Sequence, residues 1–121
     1  MAACLIAQLQ QAHRNGFFHQ DLKFRNLLIR DSQGSVELFW IDAPRARRRR
    51  IRQRRGVIVD LSGLARVAIF TCSPFERMRF LRDYLGPDAA PGEAARLYRQ
   101  VAAHLSRRQP EPLTLPFPEH D

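Results

Sequence analysis

The chain has 121 residues, 45% hydrophobic and 26% charged, with a formal net charge of +8. That length suits one compact domain and excludes two, and the lack of any run of about 18 apolar residues excludes a membrane-spanning helix. The two cysteines, Cys4 and Cys72, sit in neither a CxxC nor a Cys/His spacing, so buried free thiols of a reducing compartment are expected. The first residues lack the basic n-region of a secretion signal, and a cytoplasmic protein is expected.

In chain order, residues 2–14 are predicted helical, because Leu5, Leu9 and Ala12 share a face and Gly16 follows basic His13 and Arg14 as a stop. Residues 17–26 have neither helical nor alternating period and read as a structured loop. Two apolar runs, Leu27-Leu28-Ile29 and Val36 to Ile41, flank Asp31-Ser32-Gln33-Gly34 and read as a β-hairpin with a four-residue connection, the hairpin unit covering 27–42. Pro44 forbids a continued central strand, and a connector is expected over 43–56. It holds most of an arginine run, eight arginines in the eleven residues 45–55.

Helices are expected next within 57–107. Val57, Leu61, Leu64, Ala65 and Ala68 give one face of the first; Ser73-Pro74 starts a second that stops at Gly86-Pro87; a third covers about 91–106. Residues 109–121 form a Pro-rich tail expected to be extended or disordered. A hairpin is too small to stand alone, so it must lie on the helices. The fold class is α+β, mostly α, with residues 1–108 as one unit.

The chemistry sits in His19-Gln20-Asp21-Leu22-Lys23-Phe24-Arg25-Asn26, a segment that resembles the catalytic loop of protein kinases. Phosphoryl transfer needs a carboxylate to orient the acceptor hydroxyl and take its proton, and oxygen ligands to hold Mg²⁺ against a triphosphate. Asp21 suits the first task and the Asn26 amide oxygen the second. Asp42, after the second apolar run, is a second carboxylate, at the end of the hairpin. Each has a plain alternative: a turn or cap aspartate for Asp21, a loop residue for Asn26, a strand-end cap for Asp42. Lys23 could neutralise the migrating phosphoryl charge or be a surface lysine. His19 reads as a structural histidine bonded to backbone beneath the loop.

This segment is similar to the protein-kinase catalytic loop, H-R-D-L-x-x-x-N, with Gln20 in place of the arginine. The Phe-Gly that follows the metal-binding aspartate in those kinases is replaced by Ala43-Pro44. Together with Phe39-Trp40-Ile41-Asp42-Ala43-Pro44-Arg45, Asp60-Leu61-Ser62-Gly63-Leu64 and 77–86, the loop resembles the bacterial lipopolysaccharide core kinases, the Kdo/heptose kinase family, over most of residues 1–86. The resemblance implies a kinase-like C-terminal lobe with a small hairpin carrying the metal-binding Asp42. It also implies phosphorylation of an inner-core sugar hydroxyl with ATP and Mg²⁺, at the cytoplasmic face of the inner membrane with peripheral contact there. Asp60 then resembles the buried aspartate that braces the kinase catalytic loop, its alternative being a first-turn acid favoured by the helix dipole. The arginine run takes the place of an activation segment, where Arg45, Arg47, Arg48, Arg49 and Arg50 could meet an anionic glycolipid or sugar acceptor; the bland alternative is a solvated loop.

Kinases grip ATP with a Gly-rich loop, a strand lysine and a helix glutamate, and none of these precedes residue 17. The expectation is therefore a truncated gene product or a late start, the alternatives being a chain that pairs with a separate N-terminal lobe or one that has drifted to a non-catalytic role; ATP is bound only when an N-terminal lobe is supplied. The competing function is a non-catalytic nucleic-acid or anion binder using residues 45–55. Single-strand readers interleave aromatics for base stacking, and that run has none, which disfavours nucleic acid.

Overall fold

The computed structural model describes residues 2–23, 26–32, 35–41 and 46–108. Helix α1 (Ala2–Arg14) leads into strand β1 (Phe17–Phe18), then β2 (Leu27–Ser32) and β3 (Ser35–Trp40), then β4 (Arg47–Arg48). Three helices follow: α2 (Gln53–Thr71), α3 (Pro74–Leu85) and α4 (Glu93–Arg108). The fold is α+β and mostly helical.

The strands form two antiparallel ribbons. β2 pairs with β3 from Leu27↔Trp40 to Ser32↔Ser35, so the ladder runs into the four-residue connection expected at 31–34, of which 33 and 34 lie outside the described residues. Asp31 and Ser32 extend the ladder instead of turning. On β3 the period of two sends Leu38 inward at 4% exposure and leaves Phe39 at 43%. β1 pairs with β4 through Phe17↔Arg48 and Phe18↔Arg47, which corrects two expectations: residues 17–18 are strand, and part of the connector is its partner.

Helix α2 begins at Gln53, four residues before the position expected. Its N-cap is Arg52, in the left-handed region at φ 56°, with no side-chain cap bond. Sequence patterns find helix starts through Ser, Thr, Asp or Asn caps, and none stands here. By contrast Ser73 caps α3 with a reciprocal capping box, its hydroxyl accepting from Glu76 N–H while the Glu76 carboxylate accepts from Ser73 N–H. That interaction holds the exposed Glu76 carboxyl below its ordinary range.

All four helices and the hairpin contribute to one core of Leu5, Leu9, Leu22, Leu38, Leu61, Leu64, Leu81, Leu97 and Val101. Leu9, Leu22 and Leu97 are wholly buried, each stabilising by about 2 kcal/mol. Leu22 belongs to the loop, so the loop is anchored in the core. Two glycines let α2 lie against this region. A Cβ on Gly56 would overlap the Phe18 ring, and one on Gly63 would overlap the Leu22 carbonyl. Arg54, from the arginine run, joins α2 to α4 by bonding Glu93 at 2.6 Å and Gln100 at 2.6 and 2.8 Å.

Cys4 and Cys72 are free but half-buried, which corrects the expectation of buried thiols. The tail 109–121 lies outside the described residues, as do Phe24, Arg25 and 42–45.

Candidate active site

The loop after β1 is built on one carboxylate. Asp60, on α2, is wholly buried. Its Oδ2 accepts from the His19 N–H at 3.1 Å and its Oδ1 from the Gln20 N–H at 2.7 Å. Oδ2 also meets His13 Nε2 at 2.8 Å. A carboxylate buried in a core is costly unless its acceptor sites are filled, and this one draws on three donors. Through two of them α2 holds the backbone of the loop.

Gln20 needs that hold. Its φ is 73°, in the left-handed region that costs a non-glycine residue about 1–2 kcal/mol. A second tie comes from Arg49, whose Nη2 donates to Gln20 Oε1 at 2.8 Å. The left-handed residue turns the chain between His19 and Asp21 and presents the Asp21 carboxylate half-exposed, with Lys23 Nζ 3.3 Å from Oδ1.

His19 commits both ring nitrogens to the backbone. Its Nδ1 accepts from the Asp21 N–H at 3.1 Å, so Nε2 carries the proton and donates to the Ile41 carbonyl at 2.9 Å. Neither nitrogen remains for proton transfer or metal. Asn26 is 4% exposed; its Nδ2 donates to the Asp21 carbonyl at 2.7 Å, which assigns Oδ1 as its ligand-type atom. Its backbone carbonyl accepts from the Ile41 N–H at 2.9 Å. Ile41, the last described residue of the hairpin segment, is thereby bonded to both ends of the loop.

Asp21, Lys23 and Asn26 therefore stand together, with His19 and Asp60 beneath them. Asp42 and Arg45 lie outside the described residues. Among the described residues no group of three or more His, Cys, Asp or Glu could hold a metal ion. What the loop offers is oxygen chemistry, one carboxylate and one amide oxygen, which fits a hard cation such as Mg²⁺ better than a soft one.

The arginine run is divided by the fold. Arg47 and Arg48 are exposed on β4 and Arg50 is exposed beyond it. Arg49 turns inward to Gln20, and its pKa is lowered first by desolvation and then by Arg47, Arg55 and Arg52 nearby. Residues 47–48 of this segment are paired strand and 53–55 open α2, while 49–52 between them are neither.

Two participants were missed in the sequence. His13 stacks on Phe18 at 4.8 Å between ring centroids and joins Asp60 to Tyr84, whose hydroxyl is 2.6 Å from Nδ1. Burial, reinforced by Asp60, pushes the Tyr84 hydroxyl up to about 12, so at neutral pH it keeps its proton and can donate. The available signal was spacing: His13 continues the Leu5, Leu9 face at i+4, yet it reads there as an ordinary basic helix end. Tyr84 carries no comparable signal.

A family model described as the lipopolysaccharide kinase (Kdo/WaaP) family matches residues 2–84. The match takes in the loop, the hairpin, Asp60, His13 and Tyr84. No curated protein and no solved structure matches the chain.

Proposed function

The chain belongs to the lipopolysaccharide kinase (Kdo/WaaP) family, and from that premise we propose that residues 19–60 form the acceptor- and metal-holding half of an ATP-dependent sugar kinase with a kinase-like C-terminal lobe. The observation that carries this reading is the bonding of Ile41 to both His19 and Asn26. It ties the end of the hairpin to the loop, one peptide away from Asp42.

In this reading Asp21 orients the acceptor hydroxyl. As the sugar oxygen bonds to the γ-phosphorus and the bond to the bridging oxygen of ADP breaks, Asp21 takes the hydroxyl proton. Lys23, already beside Asp21, places positive charge where the transferring group passes. Asn26 Oδ1 and the Asp42 carboxylate would hold Mg²⁺, which would supply positive charge against the phosphates. Asp60 and His19 keep the loop in place and touch no substrate. Asp60 acts on the loop backbone from below, and its wholly buried position and three donors support that role over a first-turn acid.

Arg47, Arg48 and Arg50, with Arg45, bind the anionic sugar or glycolipid acceptor, and Arg49 links that group to the loop through Gln20. Such an acceptor places the chain at the cytoplasmic face of a membrane in peripheral contact. Among the described residues no helix is long and apolar enough to cross one. No Gly-rich phosphate loop occurs in the 121 residues, so turnover requires the ATP-gripping half of the fold from outside them.

The test is to supply an N-terminal lobe of the same family, fused or in trans, and measure ATP-dependent phosphorylation of a lipopolysaccharide core sugar. Asp21→Ala should lower turnover by about 10²–10⁴-fold with an unchanged circular dichroism spectrum. Wild-type turnover in that variant refutes the assignment.

A further inference from the structure

An apolar groove of about 830 Å³ opens between α1, α2, α3 and α4. Its volume is that of a built binding site, and a soluble chain seldom leaves so large an apolar surface uncovered. Leu105 and Ser106, in the last turns of α4, form one wall, and Cys72 lies in another. Arg77 also lines it. Its guanidinium sits 5.6 Å over the Tyr98 ring, and its Nε is buried with no hydrogen-bond partner among the described residues. A buried donor without an acceptor is costly. The groove thus calls for an occupant that is mainly apolar and carries an acceptor for Arg77.

The chain itself continues from the groove's edge into such a segment. After Arg108 come thirteen residues, 109–121, in which Leu113, Leu115 and Phe117 recur at every second position, the spacing that puts side chains on one face of an extended chain. Four prolines, Pro110, Pro112, Pro116 and Pro118, restrict the chain to extended conformations and reduce the entropy lost on docking. At about 3.3 Å per residue, Leu113 lies within roughly 17 Å of Arg108 along the chain and Phe117 within roughly 30 Å. The groove-lining stretch of α4 from Tyr98 to Leu105 is only about 10 Å long, so the segment can double back over it.

Charge agrees. The segment carries Glu111, Glu119 and Asp121 in a chain of net charge +8, and Arg77 and Arg79 stand on the groove wall. Of the two acids there, Glu76 and Asp83, Glu76 already spends its carboxylate on Ser73.

We propose that this groove is the docking site of the chain's own C-terminal segment, with Leu113, Leu115 and Phe117 in the apolar trough and a carbonyl or carboxylate of the segment on Arg77 Nε. The inference stands apart from the phosphotransferase reading, since it uses neither the loop nor the metal ligands.

Cys72 is a built-in probe. In the full chain with Cys4→Ser, Cys72 is labelled with a fluorescent maleimide, and the rate is compared with that of the same chain carrying Leu113→Ser, Leu115→Ser and Phe117→Ser. The triple variant should label about tenfold faster, and a synthetic 109–121 peptide added in trans should slow it again where a scrambled peptide does not. Equal rates in the two chains overturn the proposal. So does a labelling rate that falls with protein concentration alike in both, which would make a second copy of the chain the occupant.

Discussion

Replacing Asp60 by alanine probes the arrangement on which the loop depends. The substitution leaves the His19 and Gln20 N–H groups, now bonded at 3.1 and 2.7 Å, without an acceptor. It also removes the partner of His13 Nε2 at 2.8 Å. Each buried donor stripped of its acceptor costs about 1–3 kcal/mol, and three are stripped here. These terms overlap, and some is returned because a charge no longer has to be buried. A net loss of about 4 kcal/mol is expected, a large share of the roughly 5–15 kcal/mol available to a small domain. Urea unfolding followed by circular dichroism measures it as a lower midpoint at unchanged slope. Amide exchange separates this mechanism from a general weakening: the His19 and Gln20 amides should lose protection before those of the hairpin. A loss below about 1 kcal/mol with those two amides still protected would refute the reasoning, because the carboxylate would then not be what holds the left-handed turn at Gln20.

Gly63→Ala places a methyl against the Leu22 carbonyl; because the obstacle is backbone, the expected cost is about 2–3 kcal/mol, read as a fall in Tm of about 10 °C or more. An unchanged Tm would mean that α2 does not lie on the loop at that point. Tyr84, with its hydroxyl raised to about 12, gives a pH prediction. The folded state holds the proton more tightly than the unfolded chain, where tyrosine titrates near 10. Its contribution to stability is therefore complete below about pH 10 and is lost as pH rises towards 12. Unfolding free energies measured across that range should fall, and Tyr84→Phe should flatten the fall.

Much of the fold was legible locally. The i, i+4 face of Leu5 and Leu9, the Ser73-Pro74 start and the Gly86 stop locate α1 and α3, because periodicity and caps act within one or two turns of chain. The hairpin was legible as two apolar runs, though its connection was read as four residues when the ladder runs on to Ser32↔Ser35. The start of α2 was misplaced because Arg52 caps it with backbone geometry alone. The strand character of Phe17–Phe18 and Arg47–Arg48 had no local signal, since each is two residues long and exists only by pairing with the other.

The candidate site divides in the same way. The sequence by itself determined the family, the order of the four helices and the hairpin, and which oxygen-bearing residues the loop offers, Asp21 and Asn26, because those are properties of spacing along short segments. Only the tertiary structure decided that Asp60, 41 residues from His19, is the acceptor beneath the loop, that His13 and Tyr84 stand behind it, and that Arg49 turns inward to Gln20 while Arg54 binds α4. A side chain's local pattern states that it can donate or accept. Which partner it meets depends on how helix faces far apart in the chain pack, and here that depends on two glycines small enough to let α2 approach Phe18 and Leu22.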